Sequence, residues 1–154
     1  MTGLERICTA LADAGVRYAV VGGHAVALHG AVRGTVDIDV ALAWNRKTLV
    51  AAENALTNLG LVSRLPVSAG EIYDFRQEFI ENRNLLAWNF YDPNDLSLQV
   101  DIVINYDLKG KRTKRIQMGS GSITVLSLKD LIDMKRQSGR PQDVEDVAAL
   151  EKLR

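Results

Sequence analysis

The chain has 154 residues, of which 47% are apolar and 25% charged, a composition typical of one soluble globular domain and not of a collagen-like, low-complexity or disordered chain. Its 19 basic and 19 acidic residues balance, which argues against a strongly cationic nucleic-acid binder, although residues 109–115 contain five basic residues and no acid. No apolar run approaches the ~20 residues that span a bilayer, and the N-terminal segment is too charged for a signal peptide, so we expect a cytoplasmic protein.

A helix and a buried strand are predicted first. Thr2 and Glu5 have the spacing of a capping box, which indicates a helix that runs to about Ala14 and ends at Gly15. Its buried face is expected to carry Ile7, Leu11 and Ala14. The short apolar run over 17–21 then predicts a buried strand.

Two adjacent glycines, Gly22 and Gly23, join this strand to the next elements. Residues 24–30 are expected to form a two-turn helix, and residues 35–42 a strand, because apolar and polar side chains alternate there. The apolar positions of that strand are Val36, Ile38 and Val40, and the polar positions are Thr35, Asp37 and Asp39. The pattern therefore predicts one apolar face and one acidic face.

The middle of the chain predicts a long helix and then a less regular segment. Asn45 can cap a helix that Gly60 ends, because apolar residues recur through it at steps of three and four. A brief edge strand is predicted over 61–65. Gly70 and the proline before it indicate a flexible loop, which precedes a short helix over 75–82.

Two hairpins and two helices are predicted for the rest of the chain. The four strands cover 85–91, 96–105, 113–118 and 122–126, and each pair flanks a turn-forming sequence. Ser127 begins a helix that ends near Gly139, and a last helix follows Pro141. The sum is a single domain, 1–154, of the α/β (α+β) class, with a mixed sheet of about four to six strands and helices packed against it.

The glycine pair is the first candidate for binding chemistry. Gly22 and Gly23 follow a buried strand and begin a helix, where bare backbone N–H groups and the helix dipole favour a polyphosphate. For an isolated glycine pair, a tight turn that needs glycine conformations is the simpler explanation.

Three acidic side chains lie on predicted strands. Asp37 and Asp39 point the same way, about 6.6 Å apart along their strand, which lets both bind one hard cation or a pair of cations. Asp101 is isolated among aliphatic residues on another predicted strand. A solvated strand face would explain Asp37 and Asp39 alone, but three such acids near a glycine turn suit phosphoryl or nucleotidyl transfer.

Any metal must be bound by carboxylates. Cys8 is the only cysteine and His24 and His29 are the only histidines, so no Cys/His zinc cluster can be assembled. The two histidines lie about 140° apart around a helix, which prevents them from binding one ion together. The chemistry predicts two Mg²⁺ ions as cofactors, with Mn²⁺ as the alternative.

The ordered combination of these features resembles a known superfamily. The stretch VVGGHAVALHGAVRGTVDIDVAL and the later QVDIVI are similar to the nucleotidyltransferase superfamily of the DNA polymerase β type. The segment LSLKDLIDMKRQSGRPQDVEDVAAL is similar to the C-terminal helices of its small bacterial branch, which includes minimal nucleotidyltransferases of toxin–antitoxin modules and AbiEii-like proteins. Together these segments cover about two thirds of the chain.

The resemblance implies a nucleotidyltransferase-like fold and a role for each of these acids. Asp37 and Asp39 would bind both metal ions. Asp101 would complete the site of the ion that holds the acceptor hydroxyl, and could take the proton of that hydroxyl. The residues that would contact the nucleotide are Gly22, Gly23, His24, Arg33 and Lys135.

Three of the nucleotide contacts have alternatives. His24 stands where many relatives have Ser or Thr, so an imidazole replaces a hydroxyl contact or turns away. Arg33 could bind a phosphate or pair with an acid. Lys135 and its neighbour Arg140 could steady the nucleotide, although helix-surface salt bridges with Asp133 or Asp143 are favoured.

The resemblance therefore predicts a Mg²⁺-dependent enzyme that moves a nucleoside monophosphate from an NTP, with ATP favoured, to a hydroxyl of a protein, an RNA end or a small molecule. The chain leaves little room for an acceptor-binding domain, so the partner of a toxin–antitoxin pair or a second copy of the chain could supply the acceptor. One alternative is a non-catalytic module of the same fold that regulates a partner. A receiver domain is disfavoured, because the order of elements is wrong for a parallel βα repeat.

Two other features are expected to be structural. Trp44, Trp88 and Phe90 are predicted in the core and not as a platform for bases. The basic run 109–115 could guide a polynucleotide or an acidic partner, but a solvated hairpin flank is favoured because no aromatic residues are interleaved with it.

Overall fold

The computed structural model describes residues 1–119 and 121–154, which form one seven-stranded sheet and seven helices. The α/β class and the mixed sheet are as predicted, with one strand more than the expected range. The helices are α1 (Gly3–Asp13), α2 (Gly22–Leu28), α3 (Arg46–Asn58), α4 (Ala69–Asp74), α5 (Arg76–Arg83), α6 (Leu128–Ser138) and α7 (Pro141–Glu151). The strands are β1 (Tyr18–Val21), β2 (Ile38–Leu42), β3 (Val62–Ser63), β4 (Ala87–Asp92), β5 (Asp95–Val103), β6 (Thr113–Met118) and β7 (Gly121–Leu126).

The strand order across the sheet is β3-β4-β5-β2-β1-β7-β6. The predicted hairpins are present as the antiparallel pairs β4–β5 and β6–β7, and Ser120, in the predicted turn of the second, lies outside the described residues. The sheet is mixed at its centre, where β2 pairs parallel with β5 and antiparallel with β1. This arrangement places the strands that carry the predicted acids side by side at the centre of the sheet.

The core is built from the apolar face that each strand shares with its neighbours. Val40 of β2 lies opposite Val20 of β1 and Ile102 of β5, and all three are fully buried. Trp88 and Phe90 are buried as predicted, with ring centroids 4.6 Å apart, and the Trp88 indole N–H donates to Ser63 Oγ at 2.9 Å. Burial of such aromatic side chains supplies much of the apolar area that stabilises a small domain.

Trp44 packs against this core. Its side chain is half-buried, and the Arg76 guanidinium stacks on its ring, 4.4 Å from the centroid. The same arginine donates Nε–H to the Ile104 carbonyl at 2.8 Å, which ties α5 to the end of β5. The prediction of Trp44 in the core therefore holds only in part, because the half-buried Arg76 covers one face of the ring.

Strand β2, which carries Asp39, begins three residues later than the strand predicted over 35–42. β2 starts at Ile38, and Val36, predicted on the apolar face of the strand, is 67% exposed. The segment before β2 is drawn away from the sheet because Arg33 donates Nε–H to Asp146 of α7 at 3.0 Å and an Nη1–H to the Gly34 carbonyl at 2.6 Å. Asp37 therefore lies just before the strand and is exposed, while Asp39 lies within it.

Two smaller predictions at helices also fail. Ala14 is the exposed C-cap of α1, and Cys8 joins Ile7 and Leu11 on the buried face instead. Gly70 lies inside α4, a helix that the sequence analysis read as a loop. The helix predicted over 75–82 is present as α5.

Candidate active site

Asp39 and Asp101 form an acidic pair at the centre of the sheet. The parallel register of β2 and β5 sets Asp39 directly opposite Asp101, and both side chains are half-buried. Burial, with repulsion by the Asp101 carboxylate and a hydrogen bond to it, raises the pKa of Asp39 to about 7, and the charge of the Lys135 ammonium offsets this rise only in part. At neutral pH the pair therefore lacks a full counter-charge, as expected of carboxylates arranged to share a cation.

Gly22 lets the β1–α2 turn approach this pair. It adopts φ +67°, a left-handed conformation, and a Cβ at this position would overlap the Asp39 carboxylate. A Cβ on Gly23 would lie 2.7 Å from the Thr35 side chain. Both glycines thus have a steric explanation, which is compatible with the predicted contact between this turn and a triphosphate.

Asp37 lies near this pair, but the three carboxylates are not close enough together to form a metal site as they stand. Its exposed side chain precedes β2, and its charge contributes to the raised pKa of Asp39. Within residues 1–119 and 121–154, no three His, Cys, Asp or Glu side chains are close enough to hold one metal ion as they stand. Asp39 and Asp101 offer hard oxygen ligands, and Asp37 would have to turn inward with its segment to join them.

A buried ion network from α6 and α7 borders the acids. Lys135 is only 6% exposed, and its Nζ lies 2.9 Å from Asp146 Oδ2 and 3.4 Å from Asp143 Oδ1. Arg140 donates Nε–H to Asp143 at 2.9 Å. Lys135 and Arg140 therefore pair with Asp143 as predicted, but the Lys135 pair is buried and does not lie on a helix surface. Asp133 pairs with Lys129 instead, at 3.7 Å.

The carboxylates of this network are held ionised. Burial alone would raise the pKa of Asp143, but hydrogen bonds from Arg140 and Ser138, with the charges of Arg140 and Lys135, bring it to about 2. Burial would also raise the pKa of Asp146. Hydrogen bonds from Lys135, Arg33 and Gln142 outweigh this effect, so the pKa of Asp146 is lowered. Asp146 was missed by the sequence analysis, although its place one helical turn after Asp143 puts both acids on one face of α7.

Two cavities meet at the acidic pair. They have volumes of about 420 Å³ and about 560 Å³. The residues common to both are Gly22, Asp39, Asp101, Lys135, Arg140 and Asp143. The smaller cavity extends over apolar side chains, among them Leu86, Val103, Tyr106, Leu131 and Met134, and the larger one extends along Gly23, Arg33, Thr35 and Asp37.

Of the remaining predicted residues, some line the cavities beside the acids and others do not. Arg33 lines the larger cavity while paired with Asp146, so one arginine shows the acid pairing and still borders the site. His24 lines neither cavity, and its Nε2 is 3.4 Å from the Val36 carbonyl oxygen. His29 Nε2 is 2.7 Å from the Leu126 carbonyl oxygen. The basic run 109–115 is exposed and includes the first residues of the edge strand β6.

Asn89 is a site residue that the sequence analysis missed. It lies opposite Asp101 in the β4–β5 hairpin and donates an amide N–H to Asp101 Oδ1 at 2.8 Å. The signal was available, because Asn89 lies between the buried residues Trp88 and Phe90 and must therefore point to the face that carries Asp101.

Comparison with known proteins gives relatives in structure only. No protein-family model matches the chain, and no curated protein matches it. An antigenic nucleotidyltransferase-like protein from Paracoccidioides brasiliensis superimposes with a TM-score of 0.62 and 15% sequence identity, over 97% of this chain and 74% of its own. ANT(2″)-Ia in complex with adenylyl-2″-tobramycin superimposes with a TM-score of 0.56 and 13% identity, over 97% of this chain and 89% of its own.

The solution structure of ANT(2″)-Ia, an antibiotic-resistance factor, also superimposes on this chain. The TM-score is 0.56 and the identity 13%, over 96% of this chain and 80% of its own. The fold of this chain is therefore nucleotidyltransferase-like, as the sequence resemblance implies. The toxin–antitoxin branch remains a prediction. No helix in the described part of the chain is both long and apolar enough to cross a membrane.

Proposed function

We propose that the protein transfers a nucleotidyl group from an NTP to a hydroxyl acceptor with the help of Mg²⁺. The observation that carries this proposal is the Asp39–Asp101 pair, set against the Gly22 turn where two cavities meet in a nucleotidyltransferase-like fold. Burial and mutual repulsion disfavour two ionised carboxylates in this arrangement unless a cation is bound.

The residues present suit divalent cations, because all the ligands on offer are hard oxygens. Asp39 and Asp101 would hold the ions, joined by Asp37 when its segment turns inward, with Mn²⁺ able to replace Mg²⁺. Bound ions would supply charge neutralisation at the phosphates and a lowered pKa for the acceptor hydroxyl. Such an arrangement needs no covalent intermediate on the protein.

The chain's own residues would then bind, orient and move a proton. Asp101 would accept the proton of the acceptor hydroxyl. The oxygen of that hydroxyl forms a bond to the α-phosphorus, and the bond from this phosphorus to the leaving pyrophosphate breaks. The backbone at Gly22 and Gly23 lies against the triphosphate, and Arg33 borders the same cavity. Lys135 offsets negative charge beside Asp39, held in place by Asp143 and Asp146.

The cavities suggest how the substrates divide. The smaller cavity, with its apolar side chains, suits a nucleobase, and ATP remains the favoured nucleotide. The larger one, bordered by Asp37 and Arg33, is open toward the exposed segment before β2 and suits the phosphates and the acceptor. The acceptor could be a side chain of a toxin–antitoxin partner, an RNA end, a small molecule or a second copy of the chain.

The test is transfer of a labelled nucleotide. The protein is incubated with each α-labelled NTP, Mg²⁺ and candidate acceptors, namely itself, cellular RNA and the proteins encoded beside it. Label is expected on one acceptor, with loss of transfer in Asp39→Asn and Asp101→Asn and full transfer in Asp133→Asn, which changes an exposed carboxylate of α6. Transfer that survives both site substitutions would refute the proposal.

A second candidate is a non-catalytic module that keeps the fold and regulates a partner. It is favoured by two observations: Asp37 is not grouped with the other acids, and Lys135 and Arg33 are already paired with carboxylates. Calorimetry with ATP and Mg²⁺ separates the two. Binding that is absent, or unchanged in Asp39→Asn, favours the module, whereas binding lost in that variant favours the enzyme.

A further inference from the structure

We infer that Asn89 is a positioning residue, which orients Asp101 for cation binding while Arg64 holds Asn89 in place. This inference rests on the proposed function, because it concerns the same acidic pair. It adds to the site two residues from the β3–β4 edge of the sheet.

The contacts form a short relay along one face of the sheet. Arg64, just after β3, donates Nε–H to Asn89 Oδ1 at 2.8 Å, and Asn89 donates Nδ2–H to Asp101 Oδ1 at 2.8 Å. Asn89 also lies 3.3 Å from Gln99 Oε1, and the Arg64 guanidinium stacks 4.5 Å from the Tyr91 ring centroid. Each step of the relay has the length of a well-formed hydrogen bond.

The chemistry of the two ends fixes the orientation of the amide. Arginine can only donate and an ionised carboxylate can only accept, so the Asn89 oxygen must face Arg64 and its NH₂ group must face Asp101. The reverse orientation would set two donors together at one end and two acceptors at the other. Arg64 therefore determines which atom of Asn89 meets Asp101.

An amide at this place orients Asp101 without neutralising it. The hydrogen bond occupies Oδ1 and fixes the plane of the carboxylate, which leaves the negative charge available for a cation. The Arg64 guanidinium is kept one residue away, because Asn89 stands between the cation and the acid. A direct arginine–carboxylate pair would compete with a metal ion, whereas residues that hydrogen-bond to metal ligands generally raise metal affinity.

The experiment measures Mn²⁺ binding to the whole chain by calorimetry, without nucleotide. Asn89→Ala is expected to weaken Mn²⁺ binding by on the order of 10–100-fold, the usual effect of removing a partner of a metal ligand. Arg64→Gln, at an exposed position, is expected to weaken it in the same direction but less. The matched control is Gln117→Ala, which removes an exposed amide of β6, at the other edge of the sheet and in neither cavity, and its affinity is expected to stay unchanged.

Thermal unfolding of each variant shows whether the fold is kept, and Arg64→Gln carries the test if Asn89→Ala does not fold. The double variant Arg64→Gln/Asn89→Ala is expected to bind no more weakly than Asn89→Ala, because Arg64 acts through Asn89. Folded Asn89→Ala or Arg64→Gln with wild-type affinity would overturn the inference while leaving the proposed function intact. Wild-type protein that binds no Mn²⁺, or binds it equally after Asp39→Asn, would overturn both.

Discussion

The contact between Gly22 and Asp39 shows how a single residue fixes the shape of the site. Gly22 needs its left-handed φ to turn the chain from β1 into α2, and its missing Cβ leaves the space that the Asp39 carboxylate occupies. An alanine would therefore meet two separate penalties, one in the backbone and one against Asp39. The matched position is Gly15, with φ +73° and no other atom within 4 Å of the place that a Cβ would take, so only the backbone penalty applies there.

We predict that Gly22→Ala lowers the free energy of unfolding by more than Gly15→Ala does. The backbone penalty alone is about 1–2 kcal/mol at either position. Urea unfolding of the two variants measures the difference. The excess loss is expected to shrink when Gly22→Ala is combined with Asp39→Ala, and an excess that stays the same would show that the contact with Asp39 is not its cause.

Asp39 makes stability depend on pH in an unusual direction. The folded chain keeps a proton on Asp39 up to about pH 7, whereas the unfolded chain releases it near 3.8. Between these values the unfolded state binds fewer protons, so the free energy of unfolding falls as pH rises. Asp143 and Asp146 have lowered pKa values, and their contribution changes only at more acidic pH.

We predict that the melting temperature of the chain in a chelator falls from about pH 5 to about pH 8, and falls less in Asp39→Asn, which cannot ionise. Mg²⁺ should restore part of the loss at the upper end, because a bound cation favours the ionised form. A profile with the same slope in wild type and Asp39→Asn would contradict the assignment of the raised pKa to this residue.

At the scale of elements, the strands β2 and β5 show why the acidic pair could be predicted from the sequence. Alternation marks the face of Asp39 and of Asp101 on each strand, although nothing in the sequence dictates that these strands become parallel neighbours. That step came from resemblance to a family. The same alternation extended β2 too far, because Arg33 draws the preceding residues toward α7, a contact across 113 residues that no local pattern reveals.

Helix α4 shows a different kind of miss. Ser68 and Glu71 form a complete capping box, with the Ser68 side chain accepting from Glu71 N–H and the Glu71 carboxylate accepting from Ser68 N–H. The signal is local and was present in the sequence, but Gly70 and the proline at 66 suggested a loop. A cap that satisfies free N–H groups outweighed the low helix propensity of one glycine, and the buried Ile72 anchors the helix.

The packing of α6 against α7 depends on charges that cannot be left unpaired. Asp146 is 3% exposed and pairs with Lys135 and with Arg33, so it joins both helices to the segment that carries Asp37. Removing its charge leaves a buried lysine with one weaker partner. Such a loss costs far more than the pair itself contributes, because the remaining ion stays desolvated.

We predict that Asp146→Asn lowers the free energy of unfolding by about 3–5 kcal/mol. The control is Asp74→Asn, which breaks the Arg46–Asp74 pair between two exposed side chains and should cost about 0–1 kcal/mol. Urea unfolding at neutral pH measures both. Equal losses in the two variants would show that the buried network does not stabilise the helix pair.

At the scale of the whole molecule, the site lies where three parts of the fold meet. The acids come from the central strands, the turn from the β1–α2 connection, and the cation Lys135 from the C-terminal helices. A ligand that spans the two cavities would contact all three parts at once. Binding should therefore stabilise the domain as a unit, and the gain reports on the site without requiring an acceptor.

We predict that ATP with Mg²⁺, at about a hundred times its dissociation constant, adds about 2.7 kcal/mol to the free energy of unfolding. For a domain of this size that corresponds to a rise of about 5–10 °C in melting temperature. Asp101→Asn should lose most of the rise, whereas Asp133→Asn, an exposed carboxylate on α6, should keep it. Mg²⁺ alone and ATP with a chelator separate ionic effects from binding, and an equal rise in Asp101→Asn would show that the nucleotide binds away from the acidic pair.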